Sequence, residues 1–471
     1  MAGLIQSLGA VDLCVVILYI ASMIGIGIWA GKRVKKASDF TTAGQGMPLK
    51  IVVGSTVATC LGASIAFGNL ELIHETGLSG LVAVFFWYVG WLFLVLMAKR
   101  LRASGATSIP TYLEMRYNHN TRRIGSYCVL IMTITSVAAQ YLAIGSMCVA
   151  LDICDKTTGV IVGAVVILLF TVFSGLWGVA ITDTIQSVLL VVGIGFIVPV
   201  LAFKTAGGWN FVISNTDPNR LNPLYGIAPL PMLGWFFTKA LNAGAHPAYA
   251  QRLFSAKDDK TAVRGMLIAD LICVVVFICA ALPAFTIPQL FPNIASGDEF
   301  TPLFIAQYVP TFFKGLLISA LLGLLLTTGD TFLLLTASTI TDDIIRPLKP
   351  NMEDKKMMTL NRMICVFGTV VITVMALKFN SIYQVFKVGG GAYAAGVFFP
   401  LILGVFWKKC EAKAANWAMG LGCGVSFLWD ILGLNKVMGG LDGPTTGAVL
   451  SFLICVIGSY VIESKKSKIA A

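Results

Sequence analysis

The sequence predicts an all-α polytopic membrane protein with about thirteen transmembrane helices. Three observations predict it. Of 471 residues, 57% are hydrophobic and only 12% are charged, against ~25% charged in an average soluble domain. The mean hydropathy is +0.84. The apolar residues fall in long unbroken runs rather than alternating ten-residue segments, which excludes an outer-membrane barrel. No soluble core buries this much apolar surface, so a bilayer must.

A span needs roughly 20 apolar residues. On that criterion the spans fall at about 10–31, 50–74, 79–98, 123–150, 157–178, 182–203, 228–249, 263–289, 311–341, 358–377, 381–407, 413–434 and 445–463. The first run lacks a basic leader and a small-residue cleavage site, so it is expected to be a retained helix. The segments 204–227 and 290–310 are rich in Pro, Asn and Asp and are expected as external loops with short helices. The eleven cysteines lie mostly inside apolar runs without CxxC or Cys/His ligand spacing, which suits packing rather than disulfides or metal binding.

The net charge of +11 could suggest a nucleic-acid partner, but its distribution sets topology instead. Alternate loops carry the basic residues: Lys32, Arg33 and Lys35; Lys99, Arg100 and Arg102; Arg252, Lys257, Lys260 and Arg264; Arg346, Lys349, Lys355, Lys356 and Arg362; Lys408 and Lys409; and the tail Lys465, Lys466 and Lys468. The opposite loops have few, such as Lys156, Lys204 and Lys378. By the positive-inside rule the N-terminus is outside and the C-terminus cytoplasmic, in a cell membrane. The expected partners are the lipid bilayer and a small solute, with no nucleic acid and no obligate protein partner.

Two spans look broken. Span two, IVVGSTVATCLGASIAFGNLELIHE, is rich in small and hydroxyl residues, and span seven carries Asn242, Gly244 and Pro247 within six residues. Gly and Pro weaken helical hydrogen bonding. Either span alone is equally well read as close helix packing through small residues. Together, five spans apart and opposite in direction, they point to an inverted-repeat transporter with a site at the breaks. Such breaks free backbone carbonyls, which are tolerated at membrane depth only where protein, water or an ion satisfies them. On span nine the stretch GLLLTTGDTF places Thr327, Thr328 and Asp330 in an otherwise apolar run. Polar clusters at such depth are costly and usually functional, and the threonine hydroxyls could meet the opened carbonyls of span two.

These residues resemble the sodium:solute symporter family. FSGLWGVAITDTIQ (173–186), TTGDTFLLLTASTITDDI (327–344), TSIPTYLEMRY and HPAYAQRLFSAKD are similar to its markers, in order, over nearly the whole chain. The resemblance implies the LeuT-like fold of ten core helices in two five-helix inverted halves. The expected division is an extra N-terminal helix and loop (1–49), a first half (50–205), a second half (206–407) and two C-terminal helices with a tail (408–471). The resemblance also implies one Na+ held by the carbonyls of Ala58, Leu61 and Leu324 and the hydroxyls of Thr327 and Thr328. Some members bind a second sodium, which here would use Asp183, Asp330 and Thr331; Asp183 is alternatively a helix cap. Ile181 replaces a frequent Trp and Gly329 a usual Ala or Leu, and neither change removes a ligand.

The implied function is a sodium-driven symporter importing a small organic solute by alternating access. Membrane-embedded charges should mark its path. Lys239 lies just before the span-seven break, where proline-carrying relatives have a substrate-site tryptophan. Cys60 and His246 stand where a cation carrier would want aromatics. A buried ammonium prefers an anion, which favours a carboxylate, unless Lys239 is paired within the protein. Asn242 and Glu71 complete the candidate substrate set; Glu71, with His74 and Glu75, is alternatively a solvated helix end, and Lys387 a snorkelling lysine. The runner-up readings are a proton-coupled carrier of the same fold and a sodium-coupled carrier of a cationic or neutral solute such as choline or an amino acid. The ending IESKKSKIAA leaves no expected room for a sensor's signalling module. Three histidines and no Ser/His/Asp or metal motif argue against an enzyme.

Overall fold

Helices follow the apolar runs, and polar residues set their ends. The computed structural model describes residues 9–32, 36–151, 153–294, 296–379, 382–436 and 441–470. Its main helices are α1 (Ala10–Gly31), α2 (Leu49–Cys60), α3 (Asn69–Thr76), α4 (Leu78–Ala103), α5 (His119–Ala150), α6 (Lys156–Leu189), α7 (Pro229–Gly244), α8 (Pro247–Ser255), α9 (Asp259–Ala281), α10 (Phe313–Ser338), α11 (Asp354–Ala376), α12 (Ile382–Phe406), α13 (Ala412–Ile431) and α14 (Gly443–Ala470). Asn118, Asp155 and Asp258 cap α5, α6 and α9 by accepting the N–H of Thr121, Thr158 and Thr261 at 3.0, 3.0 and 2.7 Å. Short helices occupy the expected loops, at Trp209–Ser214 and Phe300–Tyr308.

Among the described residues, nine helices are long and apolar enough to cross a membrane, and the bent pair Leu49–Cys60 and Ser64–Thr76 makes a tenth. The expected thirteen additionally takes α7 with α8 as one interrupted span, α13 as another, and a division of the 50-residue helical run Lys156–Thr205. At about 1.5 Å per residue that run is more than twice the ~30 Å hydrocarbon core. It is two helices meeting at Gly175, where φ is +55°. A Cβ there would lie 2.8 Å from the Phe40 ring, so position and conformation both demand glycine. The sequence reading put this boundary a few residues later, at 178–182.

The polar span identified from sequence is the most enclosed one. In their most apolar stretches 89% of α10 and 83% of α5 are buried, against 17% of α1. Outward-facing Leu18, Val188 and Phe367 are each more than 60% exposed, as lipid-facing side chains are. Arg33 and Lys35 of the basic pattern, and residue 381 at the start of an expected span, lie outside the described residues.

Two lysine and arginine readings are corrected here. Arg252, counted with a basic loop, is fully buried and paired with Asp183 at 3.2 Å. Its helix, α8, begins at Pro247 inside the bundle, so the chain is still in protein when Arg252 is reached. Lys387 does not reach for solvent alone; its Nζ lies 4.0 Å from Asp442 Oδ2.

Candidate functional site

The break in span two is local chemistry. α2 ends at Cys60, Leu61 leaves the helical region (φ −78°, ψ 60°), and the chain resumes through Ser64–Gly68 into α3 at a 48° bend. In a continuing helix the Gly62 N–H would bond Ala58 O; it bonds Cys60 O instead, at 2.9 Å. The C-terminal carbonyl end of a helix carries partial negative charge, and here it points at α10. Thr327 Oγ1 donates to Ala58 O at 3.3 Å and to Leu324 O at 3.3 Å, and Thr328 Oγ1 lies 3.2 Å from Leu324 O. A Cβ on Gly62 would come within 2.7 Å of Thr328 Oγ1. The five residues expected around sodium, Ala58, Leu61, Leu324, Thr327 and Thr328, are thus brought to one place and are all buried.

The break in span seven lies opposite. α7 ends at Gly244, Ala245 and His246 leave helical geometry, and α8 restarts at Pro247, which supplies no N–H. Tyr393 on α12 donates its hydroxyl to Ala245 O at 2.6 Å, so this freed carbonyl is satisfied by protein. The sequence reading did not single out Tyr393, 148 residues away. Tyr393→Phe is expected to strand that buried carbonyl and lower stability by about 1–3 kcal/mol; a denaturation midpoint equal to wild type would show that Ala245 O finds another donor.

Between the breaks lies a cavity with about 1090 Å³ of empty space, continuous with solvent. Cys60, Lys239, His246 and Glu71 all line it, and so does Thr328, which puts the cavity beside the threonine site. Asn242 does not; it lines a smaller adjoining void with Lys239 and Lys387. Lys239 is buried, with its Nζ 5.3 Å from the Trp235 ring centroid. His246 stacks on Tyr249 at 4.1 Å, and its Nδ1 is buried without a hydrogen-bond partner. Glu71 and Asp298 line the same cavity.

Sequence reasoning missed the aromatic wall. Trp87, Tyr88, Trp235, Tyr249 and Phe332 surround the space, so losing aromatics at positions 60 and 246 does not leave it without them. It also missed Gln140 on α5, which lines the cavity and has a buried Oε1 without a partner. These residues lie in spans full of aromatics and polar residues, and no local pattern marks the face each presents.

Of the second candidate set, Asp183 and Thr331 meet at Arg252, and Asp330 is buried beside Thr331. Asp183 lies within a helix and caps nothing; its Oδ2 accepts from Ser55 Oγ at 2.7 Å.

Two interrupted helices packed against an enclosed polar helix, with a cavity between the breaks, define the LeuT-like class of membrane carriers. The family model of the sodium:solute symporter family matches residues 40–422. The chain therefore belongs to the sodium:solute symporter family, a family of transporters, and sodium-coupled solute symport is its class of function, with sodium the coupling ion. It is 25% identical over 466 residues to the sodium/glucose cotransporter of Vibrio parahaemolyticus, covering 88% of this chain and 84% of that one. It is 25% identical over 442 residues to the sodium/sialic acid symporter NanT of Aliivibrio fischeri, covering 87% and 86%. A solved structure of a Na+-coupled sialic acid symporter, substrate-bound and outward-open, superposes with a TM-score of 0.80 at 19% identity, over 96% of this chain and 98% of that one. The nucleobase-cation-symport-1 family transporter MHP1, in a closed conformation, superposes with a TM-score of 0.58 at 12% identity, over 90% and 95%.

Proposed function

We propose that this protein imports a small organic carboxylate together with sodium. The observation that carries the reading is that buried Lys239 and Thr328 of the threonine site line one cavity between the two helix breaks. Sodium is held by the carbonyls of Ala58, Leu61 and Leu324 and the hydroxyls of Thr327 and Thr328. All are oxygens, the ligands that a small hard cation takes. The solute carboxylate meets the Lys239 ammonium, and its body lies against Trp87, Trp235 and Tyr249. Gln140 and His246 line the same space, and Gln140 Oε1 and His246 Nδ1 are buried there without hydrogen-bond partners.

One carboxylate and one sodium form a neutral load, which lowers the cost of crossing the membrane. The halves 50–205 and 206–407 rock about the fixed site to expose it to either side in turn. Glu71 and Asp298 lie at the end that the charge pattern places outside, with the N-terminus, and draw cations toward the cavity. The aromatic wall favours a second reading, a sodium-coupled carrier of a cationic or neutral solute.

The test is thermal stability of the purified protein against panels of organic anions and organic cations, with and without sodium and across pH. A bound ligand stabilises by an amount set by its concentration relative to its dissociation constant. Sodium-dependent stabilisation by carboxylates is expected. Stabilisation by cations alone supports the second reading, and solute binding that follows pH and ignores sodium supports a proton-coupled carrier.

A further inference from the structure

One helical turn from the threonine site, the same two helices meet again around a buried guanidinium. Thr331 follows Thr327 by four residues on α10, and Ser55 precedes Ala58 by three on α2. Arg252, on α8, reaches between them. Its Nη2 donates to Thr331 Oγ1 at 2.6 Å and to Asp183 Oδ2 at 3.2 Å, and its Nε to Ser55 Oγ at 3.1 Å. Its Nη1 donates to Gln251 Oε1 at 3.2 Å and Ala248 O at 3.4 Å. Arg252, Asp183, Ser55 and Thr331 are each 0% exposed. Two further oxygens, Asp183 Oδ1 and Asp330 Oδ1, are buried here without hydrogen-bond partners.

Every acceptor around the guanidinium is an oxygen: carboxylate, hydroxyl, amide or carbonyl. That is the donor set a small hard cation takes. The guanidinium supplies the positive charge that buried Asp183, paired with it at 3.2 Å, needs inside the membrane, where an unpaired charge is costly. Arginine keeps its proton in such surroundings. It is also fixed to the chain and cannot be released.

We propose that Arg252 is a tethered cation occupying the position of a second sodium, so that this carrier binds one sodium ion per cycle. The inference rests on the threonine-site reading above. It assigns Asp183, Asp330 and Thr331 to holding an arginine rather than a second transported ion.

The test counts sodium ions on the full-length protein in detergent, without solute. Thermal stabilisation is followed against sodium chloride, with N-methylglucamine chloride holding ionic strength constant. At saturating concentrations its slope against the logarithm of sodium concentration reports the number of ions bound. The wild type is expected to take one ion. Arg252→Gln leaves two buried carboxylates without their cation and is expected to take two, folding best at high sodium. Arg252→Lys, and Arg252→Gln combined with Asp183→Asn, are expected to return to one.

Two ions in the wild type overturn the proposal, as does a folded Arg252→Gln that still takes one. Misfolding of Arg252→Gln at all sodium concentrations also overturns it, because sodium then fails to replace the guanidinium. If sodium does not stabilise the wild type at all, the threonine-site reading is what has failed.

Discussion

Lys239→Met is expected to abolish sodium-dependent uptake of an anionic solute. Lys239 is buried in the wall of the cavity, between the ring of Trp235 and the break that follows α7. In that low-dielectric setting the ammonium is a strong partner for a carboxylate. Truncating one member of a buried, hydrogen-bonded charge pair costs about 2–5 kcal/mol, on the order of thirtyfold to several thousandfold in affinity. Methionine keeps much of the length and apolar volume, so the change removes charge more than shape. Lys239→Arg is expected to rescue little, because the planar guanidinium is larger and binds in a fork rather than as a point. Stabilisation by sodium without solute should survive in Lys239→Met, because the threonine site lies on α2 and α10. Normal uptake by Lys239→Met, or a transported solute that proves to be a cation, would remove the carboxylate reading.

Thr327→Ala and Thr328→Ala are expected to raise the sodium concentration needed for half-maximal stabilisation. On the proposed reading, each removes one oxygen from the sodium site. The loss of a hydrogen-bonding or ligating group to a charge costs about 1.5–3 kcal/mol, on the order of ten- to a hundredfold in half-saturation. Thr327→Ser and Thr328→Ser keep the hydroxyl and should stay near wild type. The four variants, titrated with sodium alone, separate this role from solute binding. Unchanged half-saturation in both alanine variants would reject the site. A merely structural hydroxyl, bonded to Leu324 O as in the structure, would lower the stability baseline without moving the sodium midpoint.

Much of this candidate site is legible in the sequence. Both breaks announce themselves locally, through the Gly and Ala of span two and the Asn242–Pro247 cluster of span seven. The paired threonines stand out because their neighbours are apolar. Arg252 was not legible. It precedes the charged run KDDK and so looks like one more loop cation. Its meaning depends on Asp183, 69 residues away, and on the short helix α8 turning it inward. Lys387 misled for the same reason, since its partner Asp442 belongs to another helix. The aromatic wall was hidden too: Trp87 and Tyr88 are two of six aromatic residues between positions 85 and 93, with Phe85, Phe86, Trp91 and Phe93, and rotation about the helix axis selects those that face inward.

The division has a physical basis. Immersion in a membrane, the approximate positions of the spans and the places where they break follow from length, apolarity and backbone chemistry. Those are properties of contiguous residues, and the chain order carries them. Which charges neutralise one another, which rings line the cavity and which freed carbonyl meets Tyr393 depend on how helices distant in the chain rotate and pack. Packing in a bilayer is directed by small-residue contacts and by the satisfaction of polar groups across helices. Those constraints act between segments, so the place of the Arg252 guanidinium among Ser55, Asp183 and Thr331 is decided only by α2, α6, α8 and α10 together.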